Sequence, residues 1–263
     1  MSGTTVLVLA YDGAPFSGFA RQAGRATVQG RLEEALATAL RRDVVTECAG
    51  RTDAGVHALG QVVSFPSAEG DPSGAELLRS LNALAGPEIV VREARSAPAG
   101  FSARHDALSR EYRYRLVPGP VPPLFLRGVA WWAKGALDIA AMREASEALV
   151  GEHDFASFCV AETAQRVRET TSIGTVRSID LLELGTACEL GESHLVVRVA
   201  GRAFLHSMVR IVVGTLVEVG RGKRPPAWTA EVLAAKDRAA AGRTAPAHGL
   251  TLWHVAYEDG VWL

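Results

Sequence analysis

Short apolar runs and amphipathic stretches alternate along this chain in an order that occurs twice, and that order restricts the fold more than any other feature. Residues 5–10, TVLVLA, predict a buried strand closed by the turn Tyr11-Asp12-Gly13. Residues 28–40 place Val28, Leu32, Ala35, Leu36, Ala39 and Leu40 at helical spacing behind Thr27, a plausible N-cap. Strands are expected at 44–49 and 60–65, a second helix at 73–85 and a strand at 88–94. After a linker with Pro98 and Gly100 comes a strand at 111–117 and a helix from 138 to about 150, capped by Asp138, stapled by Leu137 and Met142 and stopped by Gly151. Strands at 175–183 and 195–200 follow, then an apolar helix at 204–219, a short helix near 229–236 and a last strand at 251–257. Two successive βαββαβ-like halves predict an α+β protein of two ferredoxin-like units, residues 1–104 and 105–263, with a cleft between their sheets.

The stretch 48–65, CAGRTDAGVHALGQVVSF, lies between two of the expected strands. Its core sets Asp53 two residues from Arg51 and between Gly50 and Gly55. A carboxylate on a glycine-punctuated loop at the mouth of two apolar runs is one way to present a single reactive acid from a rigid support. The same residues also suit an ordinary β-turn. Further along, the helix at 204–219 is apolar on nearly every face yet carries Arg210, and a buried arginine needs an anion. Glu218 is two turns away, too far for an i,i+4 pair, so Asp53 is one candidate partner and a structural salt bridge elsewhere is the other. An aspartate held by arginines would stay ionised, as a nucleophile or base must.

The strand at 111–117 alternates Tyr112, Tyr114 and Leu116 on one face with Glu111, Arg113 and Arg115 on the other. Tyrosines at this period suit core packing; they also suit a stacking platform for a nucleobase with arginines near phosphates. Lys134, Lys223 and Lys236 are the only lysines among 28 basic residues, and the remaining arginines favour phosphate and base contacts, although an arginine-rich composition accounts for them equally. His57 has no serine or cysteine nucleophile to serve, and His105-Asp106 and His153-Asp154 read as caps or turns. Neither a GxxxxGK[ST] loop nor a GxGxxG after a strand occurs, which disfavours ATP and NAD chemistry. Three dispersed cysteines and no HExxH spacing argue against a disulfide framework and a metal site. With no transmembrane-length apolar run and no basic secretory start, a soluble cytoplasmic protein is expected.

Eight ordered blocks carry a resemblance: Tyr11-Asp12-Gly13; CAGRTDAGVHALGQVVSF; Phe101-Ser102-Ala103-Arg104; Glu111-Tyr112-Arg113-Tyr114; the run from Leu149 to Phe158; AFLHSMVRIVVGTLVEVGRG; LAAKDR; and Gly249-Leu250. Across nearly its whole length the sequence resembles the TruA family of tRNA pseudouridine synthases. The resemblance implies isomerisation of uridine to pseudouridine at positions 38 to 40 of the tRNA anticodon arm, by a homodimer, with no cofactor and no metal. It makes Asp53 the catalytic aspartate and Arg51 the arginine of the same loop. It makes Tyr112 the residue stacking on the target base, Arg210 the cation paired with the acid, and Leu250 an apolar lining of the base pocket. The chain departs from the family pattern at Phe19, Ser207 and Ile211. Two other classes compete with this reading. A non-catalytic RNA-binding protein of paired RRM-like folds would show an aromatic-rich RNP1 run, which is not evident, and an aspartate-nucleophile hydrolase lacks a metal or phosphate signature.

Overall fold

The structure is a computed structural model that describes residues 3–72 and 74–262. The chain divides into two compact units, one of residues 1–110 with 251–263 and one of residues 111–250. The first contains β1 (Thr4–Tyr11), α1 (Val28–Leu40), β2 (Glu47–Cys48), β3 (His57–Pro66), α2 (Gly74–Ala85) and β4 (Ile89–Ala97). Its sheet runs β4-β1-β3, with β2 antiparallel on β3 at Glu47↔Ser64 and Cys48↔Val63. Val6, Leu7 and Leu9 of β1 and Val62, Val63 and Phe65 of β3 are buried, the consequence of near-continuous apolar runs. Thr27 caps α1 as its spacing predicts, its hydroxyl accepting from Gly30 N at 3.2 Å. Leu77, Leu81 and Ala85 turn one face of α2 inward. The expected start of this helix at Ser73 lies outside the described residues.

The second unit begins within β5 (Ser109–Gly119) and continues through β6 (Trp131–Lys134), α3 (Ile139–Glu147), β7 (Gly151–Asp154), α4 (Ala161–Thr170), β8 (Val176–Ile179), β9 (Leu181–Glu189), β10 (Glu192–Gly201), α5 (Met208–Gly220) and α6 (Trp228–Ala235). Here β6 lies parallel to β5, and β9 pairs antiparallel with β10. α5 is the core of this unit, with Met208, Ile211, Val212, Val213, Leu216 and Val217 all essentially inaccessible. Two close approaches require glycine on it. A methyl on Gly214 would overlap the Arg243 carbonyl, and one on Gly220 would come within 2.6 Å of Met142 Sδ.

The last strand, β11 (Leu250–Ala256), does not stay with the second half. It returns to the first unit and runs parallel to β3 at Thr251↔His57 and Leu252↔Ala58. The residues after it pack there too: Tyr257 Oη donates to Ala103 O at 2.6 Å, and Trp262 meets the Phe101 and Tyr257 rings edge to face while those two rings tilt against each other.

Several elements differ from expectation. The strand expected at 44–49 shrinks to two residues, and that expected at 175–183 breaks into β8 and β9 at Asp180, whose carboxylate accepts from Ser178 Oγ at 2.6 Å. α5 starts a turn later than 204 because Ser207 stands in the left-handed region at φ 59°. Asp138 does cap α3, accepting from Ala141 N at 2.9 Å, but the helix ends at Glu147. β6, β7 and α4 were not expected; α4 is polar and buries only Ala164. Among the described residues no helix is long and apolar enough to cross a membrane.

Candidate active site

Asp53 stands on the loop between β2 and β3, half-buried, with Arg51 exposed beside it. The loop backbone is fixed on both sides of the acid. Phe19 N donates to Thr52 O at 3.0 Å, and Val56 N donates to Asp53 O at 3.1 Å. Gly55 takes a positive φ of 77°, the turn geometry its residue type permits. Gly18, also at positive φ, packs so tightly that a methyl there would sit 3.1 Å from Thr52 O. Buried Tyr11 shares a 2.8 Å hydrogen bond between its hydroxyl and Thr52 Oγ1. The result is a carboxylate on a rigid main chain with part of its surface open, which is what a positioned base or nucleophile needs.

The other predicted residues lie in the second unit, where one segment, residues 243–250, connects the elements bearing them. Arg210 on α5 is half-buried; its Nε donates to Ala245 O at 2.9 Å, while Ala245 N donates to Arg210 O at 3.0 Å. One residue on, Pro246 O accepts from Tyr114 Oη at 2.8 Å. Burial pushes the Tyr114 hydroxyl well above its ordinary pKa, against the pull of Arg210 and Arg243, so it remains a donor. Gly249 then passes the Tyr114 ring so closely that a methyl would lie 2.5 Å from Cζ, and Leu250 follows, buried. Tyr112, two residues from Tyr114 on β5, is 6% exposed and meets Phe204 edge to face at 5.2 Å.

The arginines of β5 are engaged otherwise than expected. Arg115 is buried rather than outward and reaches Glu189 at 3.4 Å, and Arg113 Nε donates to Glu111 at 2.8 Å, where Arg198 also pairs at 3.1 Å. Glu218 binds Lys223 at 2.9 Å. His57 is buried, with Gly13 N 3.2 Å and Asp12 Oδ1 3.1 Å from its Nδ1. Asp106 accepts from Ser102 N and Asp154 from Ala156 N and Thr175 Oγ1, the turn and cap roles expected of them. The departures at Phe19 and Ile211 are buried positions, 1% and 0% exposed, so they alter packing.

Two supporting residues escaped the sequence. Arg110, 7% exposed, donates to the carbonyls of Ala49, Arg104 and Ala107, joining the base of the Asp53 loop to the Phe101-Ser102-Ala103-Arg104 block. Gln61, wholly buried in β3, hydrogen-bonds Gly50. Gln61 gave one signal, a polar residue in an otherwise apolar run, whereas Arg110, between Ser109 and Glu111, looks like any polar position at the start of a strand.

A profile of the family described as tRNA pseudouridine synthase matches residues 145–258. The chain is 44% identical over 250 residues to tRNA pseudouridine synthase A of Brevibacillus brevis, covering 95% of this chain and 98% of that one. It is 40% identical over 253 residues to tRNA pseudouridine synthase A of Bacillus subtilis, covering 95% and 98%. For tRNA pseudouridine synthase A of Streptomyces griseus the figures are 45% over 257 residues, covering 95% and 87%. With this level of identity across almost the full length of both partners, the chain belongs to the family of tRNA pseudouridine synthase A, a family of isomerases.

Proposed function

We propose that this enzyme isomerises uridine to pseudouridine in the anticodon stem-loop of tRNA, at positions 38 to 40, with Asp53 acting on a flipped-out uridine. The observation that carries the reading is the Asp53 loop itself, a half-open carboxylate on a main chain held at Thr52 and Asp53. The reaction breaks the bond from C1′ to N1, turns the base while it is still held, forms the bond from C1′ to C5, and releases the C5 proton to solvent. Asp53 serves as nucleophile at C1′ or C6, or as base at C2′. Extruding the uridine costs stacking energy, and Tyr112 offsets part of it, at about 1–3 kcal/mol per stacked base. Leu250 lines the base pocket, Arg51 meets the RNA from the exposed side of the loop, and Arg210 is the cation that answers Asp53. In this reading the chain is organised as two ferredoxin-like halves, 1–104 and 105–263, with the last strand of the second returning to the first. It works in the cytoplasm as a homodimer, and the roles above call on no cofactor or metal.

The decisive experiment follows tritium from C5 of labelled uridine in tRNA. The wild-type protein is expected to release it, and Asp53→Asn is expected to lose at least about a hundredfold of that rate. Binding of tRNA by the variant should stay within about tenfold, roughly 1.4 kcal/mol. Normal turnover by Asp53→Asn would remove Asp53 from its role, and an inactive wild type that binds tRNA would favour a binding protein instead.

A further inference from the structure

We infer that Gln61 and Tyr11 form a positioning relay that sets where Asp53 stands, so that their loss is felt in turnover and not in tRNA binding. The argument begins with the register of β2 on β3. Cys48 lies opposite Val63, and Ala49 N still donates to Val62 O at 2.8 Å. Two residues beyond Cys48, Gly50 therefore falls opposite Gln61, where the loop leaves the sheet. The next link to β3 is made by a side chain: Gln61 Nε2 donates to Gly50 O at 2.6 Å, and Gly50 N donates to Gln61 Oε1 at 3.4 Å. The Gln61 amide thus continues the ladder in place of the main chain. Those two bonds also fix which amide atom is which, since Gly50 offers one donor and one acceptor.

The second hydrogen of Gln61 Nε2 points at Tyr11 Oη, 3.3 Å away. Tyr11 accepts there, and its hydroxyl also shares a 2.8 Å hydrogen bond with Thr52 Oγ1. A continuous chain of hydrogen bonds therefore runs from Gln61 through Tyr11 to Thr52, gripping the residues on either side of Arg51 and ending one residue before Asp53. All three side chains are at least nine-tenths buried, at 0%, 4% and 7% exposure. In this setting a severed link leaves unsatisfied groups that water does not reach. The sheet is adapted to the relay. Leu9 pairs with Gln61 but Tyr11 pairs with Ala58, a one-residue shift in the β1–β3 register, the kind of irregularity that re-aims a side chain.

The inference rests on the reading that Asp53 performs the chemistry, and the experiment separates the two. Tyr11→Phe removes one hydroxyl, Gln61→Met removes the amide at similar length, and Val63→Ala is a control that thins the same strand without touching the relay. Both relay variants should lose about 10- to 100-fold in kcat for tritium release while KM moves by no more than about twofold. The double variant should be little worse than the poorer single one, because the links act as a unit. Val63→Ala should keep its kcat at temperatures below its unfolding. Amide hydrogen exchange, which needs no substrate, should show the Gly50 amide losing protection in Gln61→Met while β1 keeps its own. A kcat within about twofold of wild type in both single variants, or a loss carried entirely by KM, would overturn the inference. So would unchanged exchange at Gly50. Should Gln61→Met fail to fold, Tyr11→Phe decides the kinetic question alone. An inactive wild-type enzyme would refute the reaction, and the exchange result would still judge the relay.

Discussion

Cys48 stands at the last paired position of β2, half-buried, and burial pushes its thiol up to about 11, with Arg51 and Arg104 pulling the other way. A raised thiol pKa means a neutral sulfur below it, so at pH 8 roughly one molecule in a thousand carries the reactive thiolate at this position. A chromogenic disulfide reagent at pH 8 should therefore label exposed Cys188 quickly and Cys48 slowly, with the Cys48 rate climbing as pH approaches 11. Equal rates at the two positions would contradict this. Single residues also show where sequence reading reaches its limit. The loop that carries Asp53 and Arg51 between two strands was legible because glycines and charge cluster in a few adjacent positions. Gln61, Tyr11 and Arg110 were not, since each has a partner distant in sequence, as in the bonds Gln61–Gly50, Tyr11–Thr52 and Arg110–Ala49, 11, 41 and 61 positions apart.

Helices with a cap and a clean stripe were read correctly, as α1 behind Thr27 illustrates, because capping and periodicity are local. α4 was missed for the converse reason, being almost wholly polar, and β6 because four residues carry no period. The split of one expected strand into β8 and β9 follows from a choice of neighbours that no local pattern encodes: β8 pairs with β7 and β9 with β10. α5 combines both situations. Its apolar character was plain, but the need for glycine at 214 arises from residues 243–245 crossing it. Gly214→Ala would drive a methyl into the Arg243 carbonyl, and overpacking of this kind costs about 1–3 kcal/mol. The substitution should lower the urea midpoint accordingly. It should also slow turnover, because the displaced segment is the one that holds Arg210 through Ala245. An unchanged midpoint would show that the crossing segment yields freely.

At the scale of the molecule, acid should weaken the fold through particular carboxylates. The side-chain hydrogen bond from Arg42 holds Asp71 below its ordinary range, in a pair at 2.6 Å. Burial would raise Glu111, but hydrogen bonds from Arg198 and Arg113 outweigh it and leave its pKa lowered. Burial likewise opposes Asp154, and Thr175 and Lys236 prevail. A depressed folded-state pKa contributes stability that is complete above the unfolded value, near 4, and lost as pH falls through the folded value. Urea midpoints measured downward from pH 6 should hold to about pH 4 and then decline. Asp71→Asn should be less stable at pH 6 and decline less steeply; parallel curves would clear this pair of the effect. The return of β11 to the first unit bears on when the enzyme is made rather than on how it works. Ribosomes deliver residues in order, so the sheet supporting Asp53 lacks a strand throughout synthesis of the entire second unit. A nascent chain arrested before residue 251 should therefore be more readily cleaved by protease within residues 1–110 than the released protein, and catalytic competence should arrive only once those final residues have emerged.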